Sequence, residues 1–382
     1  MGTWRTMIAE TVTGLIVADV QPRDLPSWSR KITDKGSWTI NVLPDDRANV
    51  SVDLHSLTAA GKYSWLVLYD DQIVQGGPVF TYQYDENTRN LSVSGTGIQG
   101  LLDRRVLRKY TGPATNIVHV DNDLSVQGQT LGDIALKVVA NAVAGSGYFL
   151  PIDIPTPATS SAHVRNYLGY DLATVWDRLT DLAKSDNGPE MDFSPHLDSA
   201  GTHVEWDMLV ARNSTGKLGY QSSTSVWDYG GALGAIDVDV NGSASPCTTV
   251  WVRGSGSERA LMVGYATDLT LISSGFPATD FVDGDHTTAT ELGTLRGYAS
   301  ADLKKFSAPT ETWKCSIRVD STDEAWSPSP VIGMVGLGDA VLLGVSGHPW
   351  IRDGMYRRRV IGFSDNTEAT INLDLETTLE VL

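Results

Sequence analysis

At 382 residues the chain is too long for one ordinary hydrophobic core and divides into two or three domains. Its composition, 41% hydrophobic and 20% charged, is that of a folded protein, and its formal net charge of −17 excludes a basic groove built to grip nucleic acid. Two cysteines, Cys247 and Cys315, exclude a disulfide framework and a thiolate metal site. No run of about 18 apolar residues exists to cross a membrane.

Residues 1–100 read as antiparallel β-structure. Residues 11–17 and 37–42 are predicted strands, the second with clean alternation of Trp38, Ile40 and Val42 against polar neighbours. Residues 65–69 form a continuous apolar run closed by Asp70 and Asp71. Gly76, Gly77 and Pro78 then turn the chain. Residues 79–84 alternate, with Val79, Thr81 and Gln83 on one face and Phe80, Tyr82 and Tyr84 on the other. A polar loop at 85–90 and the return strand 91–94 complete a hairpin. Strands this short and evenly spaced predict a sandwich or barrel.

The character changes over residues 101–230. Thr130 is placed to cap a helix whose stripe is Leu131, Ile134, Ala135, Val138, Val139 and Ala142, ending at Gly145. Residues 151–157, with three prolines, predict an extended linker or edge strand. A second helix presents Leu172, Val175, Trp176, Leu179, Leu182 and Ala183 on one face and stops at Asn187-Gly188-Pro189. A hairpin with its turn at 198–201 follows. This is a small α+β unit.

Residues 231–382 return to β-structure with one inserted helix. Strands are predicted at 235–240 and 248–253, then a helix at 288–306 opened by the capping-box pair Thr288 and Glu291 and ended by Ala308 and Pro309. Strands at 312–319 and 338–345 lead to a last hairpin. It pairs 357–363 with 369–375 across the turn 364–368. Two β-regions thus flank an α+β middle, a coarse repeat of architecture rather than of residues.

Few segments offer chemistry. Gly95-x-Gly97-x-x-Gly100 has the spacing of a dinucleotide-binding loop, follows a strand and precedes a helix, and Asp121 stands where a ribose-binding acid could sit. The strand before it alternates apolar residues with serine, unlike the continuous apolar strand of a parallel nucleotide fold, and no βαβ series follows. Residues 280–286 have a calcium-like start without the closing glutamate of a calcium loop. The seven histidines form no zinc-type pair, and no Gly-x-Ser-x-Gly elbow is present. Arg357, Arg358 and Arg359 are the densest basic patch. Strand alternation sends Arg358 to one face and the other two to the opposite face, as a solvated edge or intersubunit salt bridges require.

The run from Gly77-Pro78-Val79 through the polar hairpin to Leu91-Ser92-Val93-Ser94-Gly95-x-Gly97, then Leu101-Leu102-Asp103-Arg104-Arg105, resembles siphophage minor tail proteins of the baseplate-hub type, the N-terminal part of tail-associated lysins. Gly188-Pro189-Glu190-Met191-Asp192-Phe193, Gly338-Asp339 and the arginine-rich last hairpin fit the same order. The resemblance implies a mainly β fold with α+β parts: two tail-tube-like β-barrel domains, residues 1–100 and 231–382, flanking an α+β domain at 101–230. It implies a homotrimer at the distal tip of the virion tail, contacting the distal tail protein, the tape measure protein and receptor-binding proteins, with DNA only in transit. On this reading Gly95, Gly97, Gly100, Leu101, Leu102, Arg104 and Arg105 form the corner that closes the first barrel. Arg357, Arg358 and Arg359 supply intersubunit contacts, and no cofactor, metal or catalysis is expected. The chain stops after its last hairpin, so lysin or receptor-binding domains are expected on separate proteins. The acidic surplus would keep DNA from adhering to the channel wall. Two alternatives stay open: a nucleotide-dependent enzyme using the Gly95 to Gly100 loop, and a carbohydrate-binding tail adhesin using the eleven tryptophans. A related injection apparatus has the same signature.

Overall fold

The structure, a computed structural model, describes residues 3–110, 117–158, 162–219, 222–243, 246–307, 310–319, 332, 335–366 and 370–377. The helix stop expected at Ala308 and Pro309, and Thr367, Glu368 and Ala369 of the last hairpin, lie outside the described residues.

The first region contributes strands β1 (Trp4–Glu10), β2 (Ile16–Val20), β3 (Ser27–Lys31) and β4 (Ser37–Val42), the helical turn α1 (Leu54–Leu57), then β5 (Tyr63–Tyr69), β6 (Gln72–Asp85) and β7 (Asn90–Gly95). The middle holds the single turn α2 (Gln99–Leu102), β8 (Leu124–Gly128), α3 (Leu131–Val143), β9 (Ile152–Asp153), β10 (His163–Tyr167), α4 (Val175–Lys184), β11 (Met191–Leu197) and β12 (Val204–Val210). The last region holds β13 (Ser222–Asp228), β14 (Leu233–Asn241), β15 (Thr249–Arg253), β16 (Val263–Thr267), α5 (Thr270–Ser273), β17 (Asp280–Asp283), α6 (Leu292–Phe306), β18 (Thr310–Arg318), β19 (Ala340–Val345), β20 (Gly354–Asn366) and β21 (Thr370–Thr377).

Both β-regions join one thirteen-stranded sheet, ordered β14-β18-β21-β20-β3-β4-β7-β6-β5-β1-β2, with β19 and β13 branching from β20. None of the sheets closes on itself. Among the described residues the two β-regions that were expected to form barrels are joined in a single open sheet. The joint is β20 with β3, where Gly362, Phe363 and Ser364 pair with Lys31, Arg30 and Ser29. One core cluster accordingly draws on both regions, from Trp28, Trp38 and Trp65 to Trp227, Trp313 and Leu373.

Strand β5 shows why its sequence reads as an unbroken apolar run. Trp65, Val67 and Tyr69 face the core of the large sheet, whereas Leu66 and Leu68 face a second core built with α3, α4, β11 and β12. A strand covered on both faces has no solvent side to carry polar residues. Strand β1 is split the same way, with Ile8 in the first core and Met7 and Ala9 in the second. The α+β unit is thus packed on the back of the first region through β1 and β5.

The helices follow their caps. The Thr130 hydroxyl accepts from the Asp133 amide and the Asp133 carboxylate accepts from the Thr130 amide, closing a capping box at α3; Thr174 and Asp177 do the same at α4. Leu172, expected on the α4 stripe, instead stands before the helix in a left-handed conformation and is exposed. Helix α6 begins at Leu292, not Thr288, with Glu291 at its cap position and no side-chain cap. The insert carrying α6 grows from the paired ends of β14 and β18, Asn241 opposite Thr310. It packs α6 on the sheet β16-β15-β17 around its own small core of Cys247, Val250, Val252, Leu295 and Ala299.

Candidate assembly surface

The glycine corner is a joint. Strand β7, which leads into it, pairs antiparallel with β4 and β6. The Gly97 amide donates to the Lys35 carbonyl (2.8 Å), the Gly100 amide to Gly97 and the Leu101 amide to Ile98. Those amides would have to be free to cradle a pyrophosphate at a helix N-terminus. The side-chain space of the glycines is also taken. A Cβ on Gly95 would overlap the Pro78 carbonyl and the Trp38 ring, and one on Gly100 would overlap Thr96 and the Phe80 ring. The helix that follows is a single turn. The corner then hands the chain to the α+β unit. Leu102 is buried and Leu101 half-buried. Arg104 lies 3.9 Å over the Phe80 ring, and Arg105 donates to the carbonyls of Ala142 (3.0 Å) and Tyr148 (2.6 Å). Burial lowers the Arg105 pKa.

Two of the three arginines of the last hairpin, expected to serve intersubunit contacts, make bonds within the chain. Arg359 is buried and donates to the carbonyls of Gly338 and Leu218 and to the carboxylates of Glu190 and Glu376. Burial opposes its charge, and the hydrogen bonds and charges of Glu190 and Glu376 outweigh that, leaving its pKa above the ordinary arginine value. Arg358 is buried over the Trp313 ring (4.1 Å) with Glu311 at 3.1 Å, and burial lowers its pKa. Arg357 is half-buried on the opposite face.

Acidic partners that the sequence reading passed over complete this junction. Glu190 also accepts from the Leu218 amide and Lys217, and Asp192 pairs with Arg30 of β3. Thr33 and Met191 exchange two hydrogen bonds beside them. Glu190-Met191-Asp192 alternates acid, apolar, acid directly after a Gly-Pro stop, a pattern that could have marked it as a docking strand.

The architectural repeat is resolved strand by strand. The order β4-β7-β6-β5 in the first region recurs as β18-β21-β20-β19 in the second. Trp38 pairs with Gly95 on one side and Trp28 on the other; its counterpart Trp313 pairs with Leu375 and Val238. Strand β3 therefore corresponds to β14, and the long strand β6 to the long strand β20. One difference stands out. The outer half of β20 is covered by β3, whereas the outer half of β6 pairs only with β7 and β14 pairs only with β18 among the described strands. Tyr82 on the first of these edges is 54% exposed, and Val240 on the second is 56% exposed.

The outward face between these edges is polar, with uncharged rows in the first region and rows that mix acids with lysines in the last, such as Asp237, Lys314 and Asp374. Gln83, Ser92 and Asn41 stand in one cross-strand row, and Thr81, Ser94 and Thr39 in the next. Ser29 faces Ser37 and Ser364, and Asn372 faces Ser316 and Ser364. On this face Asp374 is paired with Lys31 at 2.6 Å, and Asp237 stands opposite Lys314.

Other chemistry is sparse. Burial pushes the Cys315 thiol up to about 12, which leaves it protonated and unreactive. Among the described residues no group of three or more His, Cys, Asp or Glu side chains could hold a metal ion. Seven tryptophans, Trp28, Trp38, Trp65, Trp176, Trp206, Trp227 and Trp313, are buried in cores and not arrayed in a groove. A cleft of about 520 Å³ separates the insert from the α+β unit, lined by Arg165, Tyr170, Arg178, Glu291 and Tyr298 among others.

No protein-family model and no curated protein matches the sequence. Solved structures match the fold over its whole length. The tail protein from Neisseria meningitidis MC58 is 15% identical at a TM-score of 0.55, covering 98% of this chain and 96% of that chain. The 43 kDa tail protein of prophage MuSo2 from Shewanella oneidensis is 12% identical at 0.56, covering 98% of both. The chain has a phage tail protein fold. With coverage so complete, the likeness to these tail proteins takes in both β-regions, the α+β unit and the insert.

Proposed function

We propose that the chain is a structural, non-enzymatic component of a phage tail tip, three copies of which join edge to edge in a ring that continues the tail tube. In this reading residues 1–100 and 231–382 are the two ring units, and 101–230 is the unit packed outside them. The distal tail protein and tape measure protein are its neighbours, and DNA passes through without staying.

One observation carries the reading: the repeated strand series is capped within the chain and uncapped at both ends. Strand β3 covers β20, and the equivalent pair, β14 and the outer half of β6, is left open. Both open edges are polar or charged on one face and bear exposed apolar side chains on the other. An uncovered edge is a template for pairing with another chain. Carrying the register of β3 on β20 across the repeat sets Asn241, Val240 and Asp239 of one copy opposite Thr81, Tyr82 and Gln83 of the next. The exposed valine and tyrosine then cover each other. Two units per chain and three chains give the sixfold spacing of a tube, and the polar rows face the passage.

The test is a cysteine pair. Residues directly opposite on neighbouring strands have Cβ atoms roughly 4.5–5.5 Å apart, close to disulfide reach. Tyr82→Cys combined with Val240→Cys should give covalent trimers on oxidation of concentrated protein or of the assembled tail, and neither single variant should. Rings seen by mass photometry without the disulfide would overturn the register. Monomers alone, with and without the neighbouring tail ring, would overturn the assembly.

A further inference from the structure

Strand β10 has one neighbour and one open side. Among the described residues it pairs only with β8, and no other backbone–backbone hydrogen bond reaches His163 to Tyr167. The open side lies in the cleft between the α+β unit and the insert. That cleft, of about 520 Å³, touches the consecutive residues 165–168 and none of β8. Successive side chains of a strand point to opposite faces, so a cleft that meets consecutive residues meets the strand at its edge. A second space of about 250 Å³ adjoins the first, shares Arg165, Ser185, Thr294 and Tyr298 with it, and carries on to His163. Together they make a trough that follows the strand, in a volume typical of ligand sites.

The opposite wall is helix α6, and it presents bare backbone. Gly293 and Gly297 share one face of the helix and both line the trough. A Cβ on either would meet nothing within 4 Å. Glycine weakens a helix relative to alanine, and no packing within the chain requires it at these positions. Close approach of another backbone does. The walls also carry charges without counterparts. The Arg165 guanidinium donates to the Val164 carbonyl at 3.1 Å, and neither it nor Glu291, on the insert side, has an ion-pair partner among the described residues. Val164, next to Arg165 on the strand, is 47% exposed.

We propose that the trough receives an extended segment of another protein, which adds to the open edge of β10 and passes over Gly293 and Gly297 of α6. The edge selects the class of occupant. Its N–H and C=O groups are matched by the backbone of an extended polypeptide, not by a compact ligand. The added strand covers Val164, and the two glycines let its backbone lie close to the helix. Arg165 on one wall and Glu291 on the other select a segment that carries both an acid and a base. Neither β6 nor β14 lines the trough, so this segment and the proposed ring neighbours occupy separate edges.

The probe is a library of random peptides of roughly eight residues with blocked ends, long enough to run the trough, panned on the full chain. Enriched peptides should carry an acid and a base, bind the natural chain and protect the amides of β10 from hydrogen exchange. Gly297→Leu fills the trough from a position where the fold has room. It should abolish binding without lowering the melting temperature. Gly293→Leu should do the same, and it decides the matter if Gly297→Leu disturbs the insert. A panning that enriches no peptide would overturn the proposal. So would peptides that bind both leucine variants as well as the natural chain, or that leave exchange of β10 unaltered. Self-association of the chain by mass photometry that is lost in the leucine variants would make a second copy the occupant, and would overturn the assignment to another protein.

Discussion

Arg359 of β20 reaches across the junction to Glu190 of the α+β unit, two nitrogens of one guanidinium meeting both oxygens of the carboxylate. Its remaining donors go to Glu376 and to two backbone carbonyls, so a single buried side chain ties four other segments to β20.

Removing it should therefore be costly. Arg359→Ala leaves Glu190 and Glu376 with only the part-exposed Lys217 as a shared cation, and breaking one partner of a buried ion pair costs about 3–5 kcal/mol. Arg359→Lys keeps the charge and loses the fork, and should fall between the two. Urea denaturation followed by tryptophan fluorescence measures both. A loss under about 1 kcal/mol for the alanine variant would mean that the pair behaves as a surface bridge.

The glycine corner makes a contrast within one residue type. Gly95→Ala forces a methyl group onto the Pro78 carbonyl and the Trp38 ring, neither of which is a flexible side-chain end. Overpacking of that kind costs about 1–3 kcal/mol. Gly284→Ala meets nothing within 4 Å and should change stability by less than about 0.5 kcal/mol. Equal melting temperatures for the two variants would contradict the packing described for the corner.

Asp133 ties stability to pH. Burial raises its pKa, and hydrogen bonds from the Ala158 and Thr130 amides, the Thr130 hydroxyl and the Arg212 charge outweigh that, leaving it below the ordinary carboxylate value. A lowered carboxyl contributes stability above its ordinary pKa of 3.8 and loses it as pH falls below that value. Asp133→Asn should cost about 1–2 kcal/mol near neutrality and almost nothing in strong acid. Thermal melts of both chains across that range should converge at the acid end.

Edge pairing between copies can be blocked without touching a core. Val240→Lys places a charge on the exposed end of β14, the device by which natural edge strands resist pairing. The monomer should melt within about 0.5 kcal/mol of the natural chain while ring formation by mass photometry is lost. A variant that still forms rings would show that β14 is not at the joint.

The sequence was most readable where local chemistry decides the outcome. The strand 37–42 alternates because one face of β4 is solvated, and the threonine cap of α3 announces the first turn it satisfies. Leu172 misled because it continues the α4 stripe in spacing, although the Thr174 cap had already ended the extended segment one residue before Val175. The start of α6 misled for a similar reason: Thr288 and Glu291 have capping-box spacing, but the 284–291 loop is held by Asp283 and His286 instead. The one-sheet architecture was out of reach, because pairing of β3 with β20 depends on residues at opposite ends of the chain. Arg358 and Arg359 carried no sign of their burial, since Glu190, Glu311 and Glu376 become their partners only once the sheet is assembled. The glycine corner was legible from its flanks, the alternating strand before it above all, whereas the bond from the Gly97 amide to Lys35 was not.

The β3–β20 joint also sets an order on biosynthesis. Strand β3 leaves the ribosome early, and its partner is among the last segments made. Until then Ser29, Arg30 and Lys31 border an uncovered sheet edge in a nascent chain, the kind of surface that aggregates or swaps with a neighbour. The charged pair at that edge, Arg30 and Lys31, acts as a gatekeeper during the wait, and Arg30 can be taken up by Asp192 as soon as the α+β unit forms. Truncations that remove β20 should for this reason precipitate, whereas shorter deletions confined to the insert should leave a soluble chain.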